Sequence, residues 1–189
     1  MSTGIILVDP QYDFFPGGAL AVPHGDQIID PINALLTRFP KAPLFASRDW
    51  HPSSTRHFRE RGGIWPPHCV QQTRGACFHE GLQMQAAVVF DKGTNPDDDG
   101  GYSAFDGRRC DAEGKSVLLI EDLRRGSVDS VVVAGLATDY CVKATALDAV
   151  QHGLMVFLFL AGVRAVEIKA GDGAAALEQM RGAGVLLLE

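Results

Sequence analysis

The chain has 189 residues, 46% hydrophobic and 21% charged, with a formal net charge of -6; that length carries one well-buried core and is short for two, so one domain over residues 1–189 is expected, far from the range in which chains stay unfolded. No basic stripe gathers the charges, which argues against nucleic acid, and the longest apolar run, residues 153–163, falls well short of the ~20 residues of a membrane helix. The start lacks the charged segment of a secretory signal, and the four cysteines, at 69, 77, 110 and 141, form no Cys-x-x-Cys pair, so a cytoplasmic protein with reduced thiols and no membrane partner is expected.

In chain order, an apolar β-rich run at 5–8 leads to a helix-like stretch at 27–39, and strands follow at 44–47 and 87–90. A helix is expected at 116–125, a strand at 130–134, a helix at 139–152, a strand at 154–160, a helix at 173–181 and a last strand at 185–188. Alternation of short apolar strands with helices predicts an α/β protein of three layers, α/β/α, around a mostly parallel central sheet buried on both faces. Two stretches break the pattern, 48–80 and 92–109, both rich in Gly, Pro, His and Asp. Long loops are usually functional or disordered; the first holds four of the six histidines, both tryptophans and Asp49, which favours function.

Several familiar patterns fail. Gly114-Lys115-Ser116 lacks the earlier glycine and the strand of a phosphate loop, and His79-Glu80 meets Gln83 where a zinc protease needs its second histidine. Asp97-Asp98-Asp99-Gly100 follows Pro96, has no closing glutamate, and reads as a flexible acidic turn rather than a calcium loop. No Gly-x-Gly-x-x-Gly follows the first strand, so dinucleotide binding has no support.

What remains stands at strand ends. Asp9 ends the first apolar run, Lys92 follows Val88-Val89-Phe90, and Cys141 follows residues 131–136 by a short turn. In an open parallel sheet the carboxyl ends line one crevice, so the three can meet. Taken singly, each has a plainer explanation: a turn cap, a solvated lysine, an inert buried thiol. Gly135-Leu136-Ala137-Thr138-Asp139 carries the chain from strand to helix, with Thr138 or Asp139 as its cap. Cys141 would then sit in the first helical turn, where the helix dipole and Lys92 would favour a thiolate. Asp49 and His51 stand two apart, on one side of an extended chain. With His57 and His68 they could hold zinc, manganese or iron, although histidines also collect in polar loops without a ligand.

These segments form a series: Val8-Asp9-Pro10-Gln11-Tyr12-Asp13-Phe14, Arg48-Asp49-Trp50-His51-Pro52, Trp65-Pro66-Pro67-His68-Cys69, Lys92-Gly93, Tyr102-Ser103-Ala104-Phe105 and Gly135-Leu136-Ala137-Thr138-Asp139-Tyr140-Cys141-Val142. In that order, over residues 5–181, the chain resembles the isochorismatase-like cysteine hydrolases and, within them, the nicotinamidase group. The resemblance implies the isochorismatase-like hydrolase fold and a catalytic three of Asp9, Lys92 and Cys141. It implies one divalent transition metal surrounded by Asp49, His51, His57 and His68, and a substrate pocket lined by Phe14, Leu20, Trp65, Tyr102 and Ala137. A cis bond between Leu136 and Ala137 and an oxyanion hole from the amides of Ala137 and Cys141 are implied too. The implied reaction hydrolyses nicotinamide, and pyrazinamide with it, to the acid and ammonia through a Cys141 thioester, in NAD salvage. Another small amide or carbamoyl compound is the alternative, and a non-catalytic binding module would have no use for all three catalytic residues. A homo-oligomer stays open. Two departures stand out: His24, where relatives often carry glycine, and Gly100-Gly101, which lengthen the loop before Tyr102.

Overall fold

The structure, a computed structural model, describes residues 2–84, 87–97 and 101–189; most of the expected acidic turn, residues 98–100, lies outside them. Strands β1 (Ser2–Val8), β2 (Leu44–Asp49), β3 (Val88–Lys92), β4 (Arg108–Cys110), β5 (Ser116–Leu118), β6 (Val128–Leu136), β7 (Met155–Arg164) and β8 (Leu186–Leu188) make one sheet in the order β5-β4-β3-β2-β1-β6-β7-β8. All neighbours pair in parallel except β3 with β4 and β4 with β5. The fold is the expected α/β architecture with a mostly parallel sheet. From β1 the sheet grows one way through β2 and β3 and the other way through β6 and β7, so the carboxyl ends of β1 and β6 flank a switch point where a crevice opens.

Helices cover both faces. The helices α2 (Leu119–Arg125), α3 (Lys143–Gln151) and α4 (Asp172–Gly182) pack Leu123, Ala146, Ala149 and Met180 against Ile6, Val8, Val131 and Val133. The other face takes α1 (Ile29–Arg38), whose Ile32 packs with Ile5, Leu7 and Val132, and the long loops complete that layer with Phe14, Phe15 and Cys69. Alternate residues of β1 thus enter opposite cores, which explains why its sequence is apolar without a polar face. Among the described residues no helix is long and apolar enough to cross a membrane.

The structure differs from expectation at 116–125. Ser116-Val117-Leu118 is strand, antiparallel to β4, and the helix begins at Leu119 after Glu121 accepts a hydrogen bond from the Leu118 amide. Neither β4 nor β5 is visible in the sequence, because three residues give no periodicity and Arg108-Arg109-Cys110 has no apolar face. Gly135 matters for the site. It adopts φ +123, and a Cβ there would stand 2.1 Å from the Val8 carbonyl oxygen, so glycine lets β6 close on β1 beside Asp9. His24 has φ 56, the left-handed region that glycine occupies freely and that a non-glycine residue adopts less readily.

Candidate active site

Register brings the strand-end residues together. Val8 pairs with Ser47 and with Gly135, and Asp49 pairs with Lys92, so the carboxyl ends of β3, β2, β1 and β6 are level and adjacent. Asp9, just past β1, has φ 45 and is completely buried. The Ser47 hydroxyl donates to its Oδ1 at 2.7 Å. Its Oδ2 lies 3.0 Å from the Lys92 ammonium, an ion pair without hydrogen-bond alignment, so Oδ2 has no hydrogen-bond partner. Lys92 Nζ also donates to Asp49 Oδ1 and stands 3.6 Å from Cys141 Sγ.

Cys141 lies in a wide π-helical turn, Thr138–Val142, that opens directly into α3. The Ala137 carbonyl accepts from the amides of Tyr140 and Val142, on either side of Cys141. The bond between Leu136 and Ala137 is cis, as the resemblance implies. The expected side-chain cap does not form: Asp139 turns away and accepts the amides of Val166 and Glu167 instead.

The charges explain one another. Burial pushes the Asp9 carboxyl up; Lys92 opposes this and Asp49 adds to it. Burial acts to raise Asp49 as well, yet the Lys92 ammonium and the His51 and His68 rings hold it far below the carboxylate range. Burial acts to discharge Lys92, but Asp49 and Asp9 keep it charged well past its ordinary value. The thiol of Cys141 departs from expectation. Burial pushes it well up; Lys92 opposes this, and Asp9 and Asp49 add to it. Cys141 therefore rests as a thiol rather than as the thiolate that the helix dipole and Lys92 suggested. All four cysteines are free.

Next to this cluster, ring nitrogens of His51, His57 and His68 come within 4.8 Å of one another. His51 Nδ1 is 3.1 Å from the Gly93 carbonyl and His68 Nδ1 is 2.8 Å from the Pro66 carbonyl. A carbonyl accepts, so Nδ1 carries the proton in each and Nε2 presents its lone pair. Nε2 of His51 is buried without a hydrogen-bond partner, and Asp49 Oδ2 stands 3.7 Å from it and 3.8 Å from His68 Nε2. Burial lowers His68 against the pull of Asp49, which favours its neutral, ligating form. Three imidazoles and a carboxylate with an orphaned nitrogen fit a divalent transition metal.

Other residues hold this arrangement. Gln11, fully buried, accepts from the Asp49 amide and donates to the Asp49 carbonyl, both at 2.7 Å, and donates to the Ala76 carbonyl at 3.0 Å. Asp13 accepts the Cys69 amide at 2.7 Å, which fixes the chain next to His68. A Cβ at Gly75 would stand 2.1 Å from the Asp13 carboxylate, so glycine makes that room.

A narrow cleft, open to solvent, leads to Cys141. Its walls include Phe14, Leu20, Trp65, Tyr102 and Ala137, all expected, with His57, His68 and Asp49 beside them. Trp65 Nε1 donates to the Tyr102 hydroxyl at 3.0 Å. Sequence reasoning missed Tyr140 and Val166. Tyr140, like Gln11 and Asp13, lies inside a motif that resembles the family, which is the signal that could have found it; Val166 lies in no motif.

The chain is an α/β protein in which a carboxylate, an ammonium and a thiol meet at the switch point of a doubly wound sheet. The chain belongs to the isochorismatase family: residues 3–189 match the isochorismatase domain. It is 41% identical to the nicotinamidase of Escherichia coli (strain K12), over 97% of this chain and 92% of that one. The pyrazinamidase of Pyrococcus horikoshii in complex with zinc is 42% identical, with a TM-score of 0.88 over 100% of this chain and 99% of the other. An L. infantum protein crystallised with nicotinate is 37% identical, with a TM-score of 0.89 over 100% and 92%.

Proposed function

We propose that this chain is a single-domain nicotinamidase, hydrolysing nicotinamide and pyrazinamide to the acid and ammonia through a thioester on Cys141 and returning nicotinate to NAD salvage in the cytoplasm. The observation that carries this reading is the meeting of Asp9, Lys92 and Cys141 at an aromatic cleft whose walls also include His57 and His68 of the three-imidazole cluster. The cleft is narrow and walled largely by aromatic side chains, which suits a planar ring. The relatives named above support it.

Asp9 Oδ2, free of hydrogen bonds, takes the Cys141 proton as sulfur attacks the carboxamide carbon. Burial favours the neutral thiol, so sulfur needs a base such as Asp9 to take its proton. The amides of Ala137 and Cys141 receive the oxyanion; the Ala137 carbonyl is taken up by the neighbouring amides of Tyr140 and Val142, which supports that role for Cys141. Asp9 then passes the proton to the departing nitrogen, and ammonia leaves a thioester. Water attacks the thioester carbon, Asp9 accepts its proton and returns it to sulfur, and the acid is released. Lys92 keeps Asp9 oriented throughout. A divalent metal held by Asp49, His51, His57 and His68 would supply a Lewis-acid contact that ligates the ring nitrogen and orients the ring. Zinc is the ion we assign, on the Pyrococcus relative.

The test is ammonia release from nicotinamide, pyrazinamide, benzamide and N-carbamoylated amines. Nicotinamide should lead, and benzamide, which lacks a ring nitrogen, should fall at least about tenfold behind in kcat/KM; preference for a carbamoyl amine would overturn the assignment. A second expected result is an acid limb of kcat/KM. Asp9 must be ionised to act as base, and burial raises its carboxyl, so activity should fall with a pKa above the ordinary carboxylate range. A pH profile flat down to that range would remove Asp9 from the role. A third concerns the metal: His51→Ala should lose the divalent ion found by elemental analysis and most turnover, with unchanged far-ultraviolet circular dichroism. Full metal content in His51→Ala would contradict the ligand set.

A further inference from the structure

Val166 reaches the cleft from the segment after β7, a stretch in which no motif marks a functional residue. Its position is fixed by the turn that carries the nucleophile. Asp139, two residues before Cys141 and almost fully buried, accepts the Val166 amide on Oδ1 at 2.9 Å and the Glu167 amide on Oδ2 at 3.0 Å. Both oxygens of one carboxylate thus hold consecutive amides of another element, and such charge-assisted bonds are about twice as strong as neutral ones.

The segment is braced on its far side as well. Glu167 adopts φ 56, and its carboxylate accepts the amides of Gly171 and Gly173 at the start of α4, at 2.7 and 2.9 Å. A Cβ at Gly173 would come within 2.6 Å of Glu167 Oε1 and 2.7 Å of the Ala165 Cβ, so the packing leaves no slack there. The Val166 side chain is β-branched and stiff at χ1. A wall with a fixed backbone and a stiff side chain cannot yield to a larger ring in so narrow a cleft.

We propose that Val166 is a specificity-determining residue that excludes amides with a substituent on the ring edge facing it, and that Asp139 is the positioning residue that locks this wall to the nucleophile turn. The proposal rests on the reading of the substrate as a single-ring aromatic amide. Its test is the ratio of kcat/KM for nicotinamide methylated at each free ring carbon to that for nicotinamide itself, in the wild type, Val166→Ala, Asp139→Asn and the double variant. For at least one ring position Val166→Ala should raise the ratio roughly tenfold or more, through KM. Asp139→Asn should raise it at the same position, since an amide accepts one of the two backbone bonds and not both. The double variant should gain no more than Val166→Ala alone, because the wall is then already gone. Unchanged ratios in a Val166→Ala variant that still hydrolyses nicotinamide would overturn the proposal, and additive gains would overturn the part given to Asp139. Should the wild type hydrolyse no nicotinamide, the substrate reading fails by itself, and the wall is then tested by alkylation of Cys141 with iodoacetamide against the bulkier iodoacetanilide, followed on its peptide. The relative rate of the bulkier reagent should rise in Val166→Ala, and an unchanged relative rate would overturn the wall.

Discussion

Cys141→Ala should lower ammonia release from nicotinamide by on the order of 10⁴-fold or more, because it removes the atom that forms the covalent bond. Binding should persist. The aromatic walls and the imidazole side of the cleft do not depend on sulfur, and alanine preserves the Cβ and the backbone of the turn. Isothermal calorimetry with nicotinamide, alongside single-turnover assays, separates the two effects. Wild-type ammonia release from this variant would show that another group is the nucleophile, and loss of binding together with loss of turnover would point to a collapsed turn.

Lys92→Met should have the next largest effect, on stability as well as rate. Lys92 is buried between Asp9 and Asp49, and its charge is the cation both carboxylates face. Taking one partner from a buried ion pair costs ~3–5 kcal/mol, because the remaining charge keeps its desolvation penalty without its partner. The pH dependence has a definite sign. In the wild type burial already raises the Asp9 carboxyl despite Lys92, so removing the ammonium raises it further. A carboxyl with a raised folded-state pKa contributes fully below its unfolded value and loses that contribution as pH rises through the folded one. The deficit of the variant, measured by urea unfolding, should therefore be largest near neutral pH and shrink toward pH about 4. A deficit independent of pH would mean that packing of the lysine stem, rather than its charge, is what the site loses. Turnover should fall severely as well, since Lys92 opposes the burial that holds the Cys141 proton on sulfur.

Much of this was legible in the chain. Strands β2 and β3 end on Asp49 and Lys92, β1 runs straight into Asp9, and β6 leads by a short turn to Cys141; a parallel sheet needs nothing else to bring the four to one edge. The histidines declared themselves by their number in one loop. What the sequence hid depends on partners far away along it. Strands β4 and β5 exist because each pairs with another strand, and their three residues carry no period of their own. Asp139 reads locally as a helix cap, yet its acceptors are used by amides 27 and 28 residues on. Gln11 looks like an ordinary polar residue after a strand until both its amide atoms are found on the Asp49 backbone. The thiol was misjudged for the same reason. Helix dipole and lysine are visible in sequence, whereas complete burial beside two carboxylates is not.

The central claim is that Cys141 carries the acyl group. Acid quench of the enzyme during turnover of nicotinamide, followed by peptide mass spectrometry, tests it directly. A nicotinoyl thioester is expected on the peptide containing Cys141 and absent from those containing Cys69, Cys77 and Cys110. Turnover at an undiminished rate with no acyl adduct on Cys141 at any quench time, together with ammonia release retained in Cys141→Ala, would contradict it.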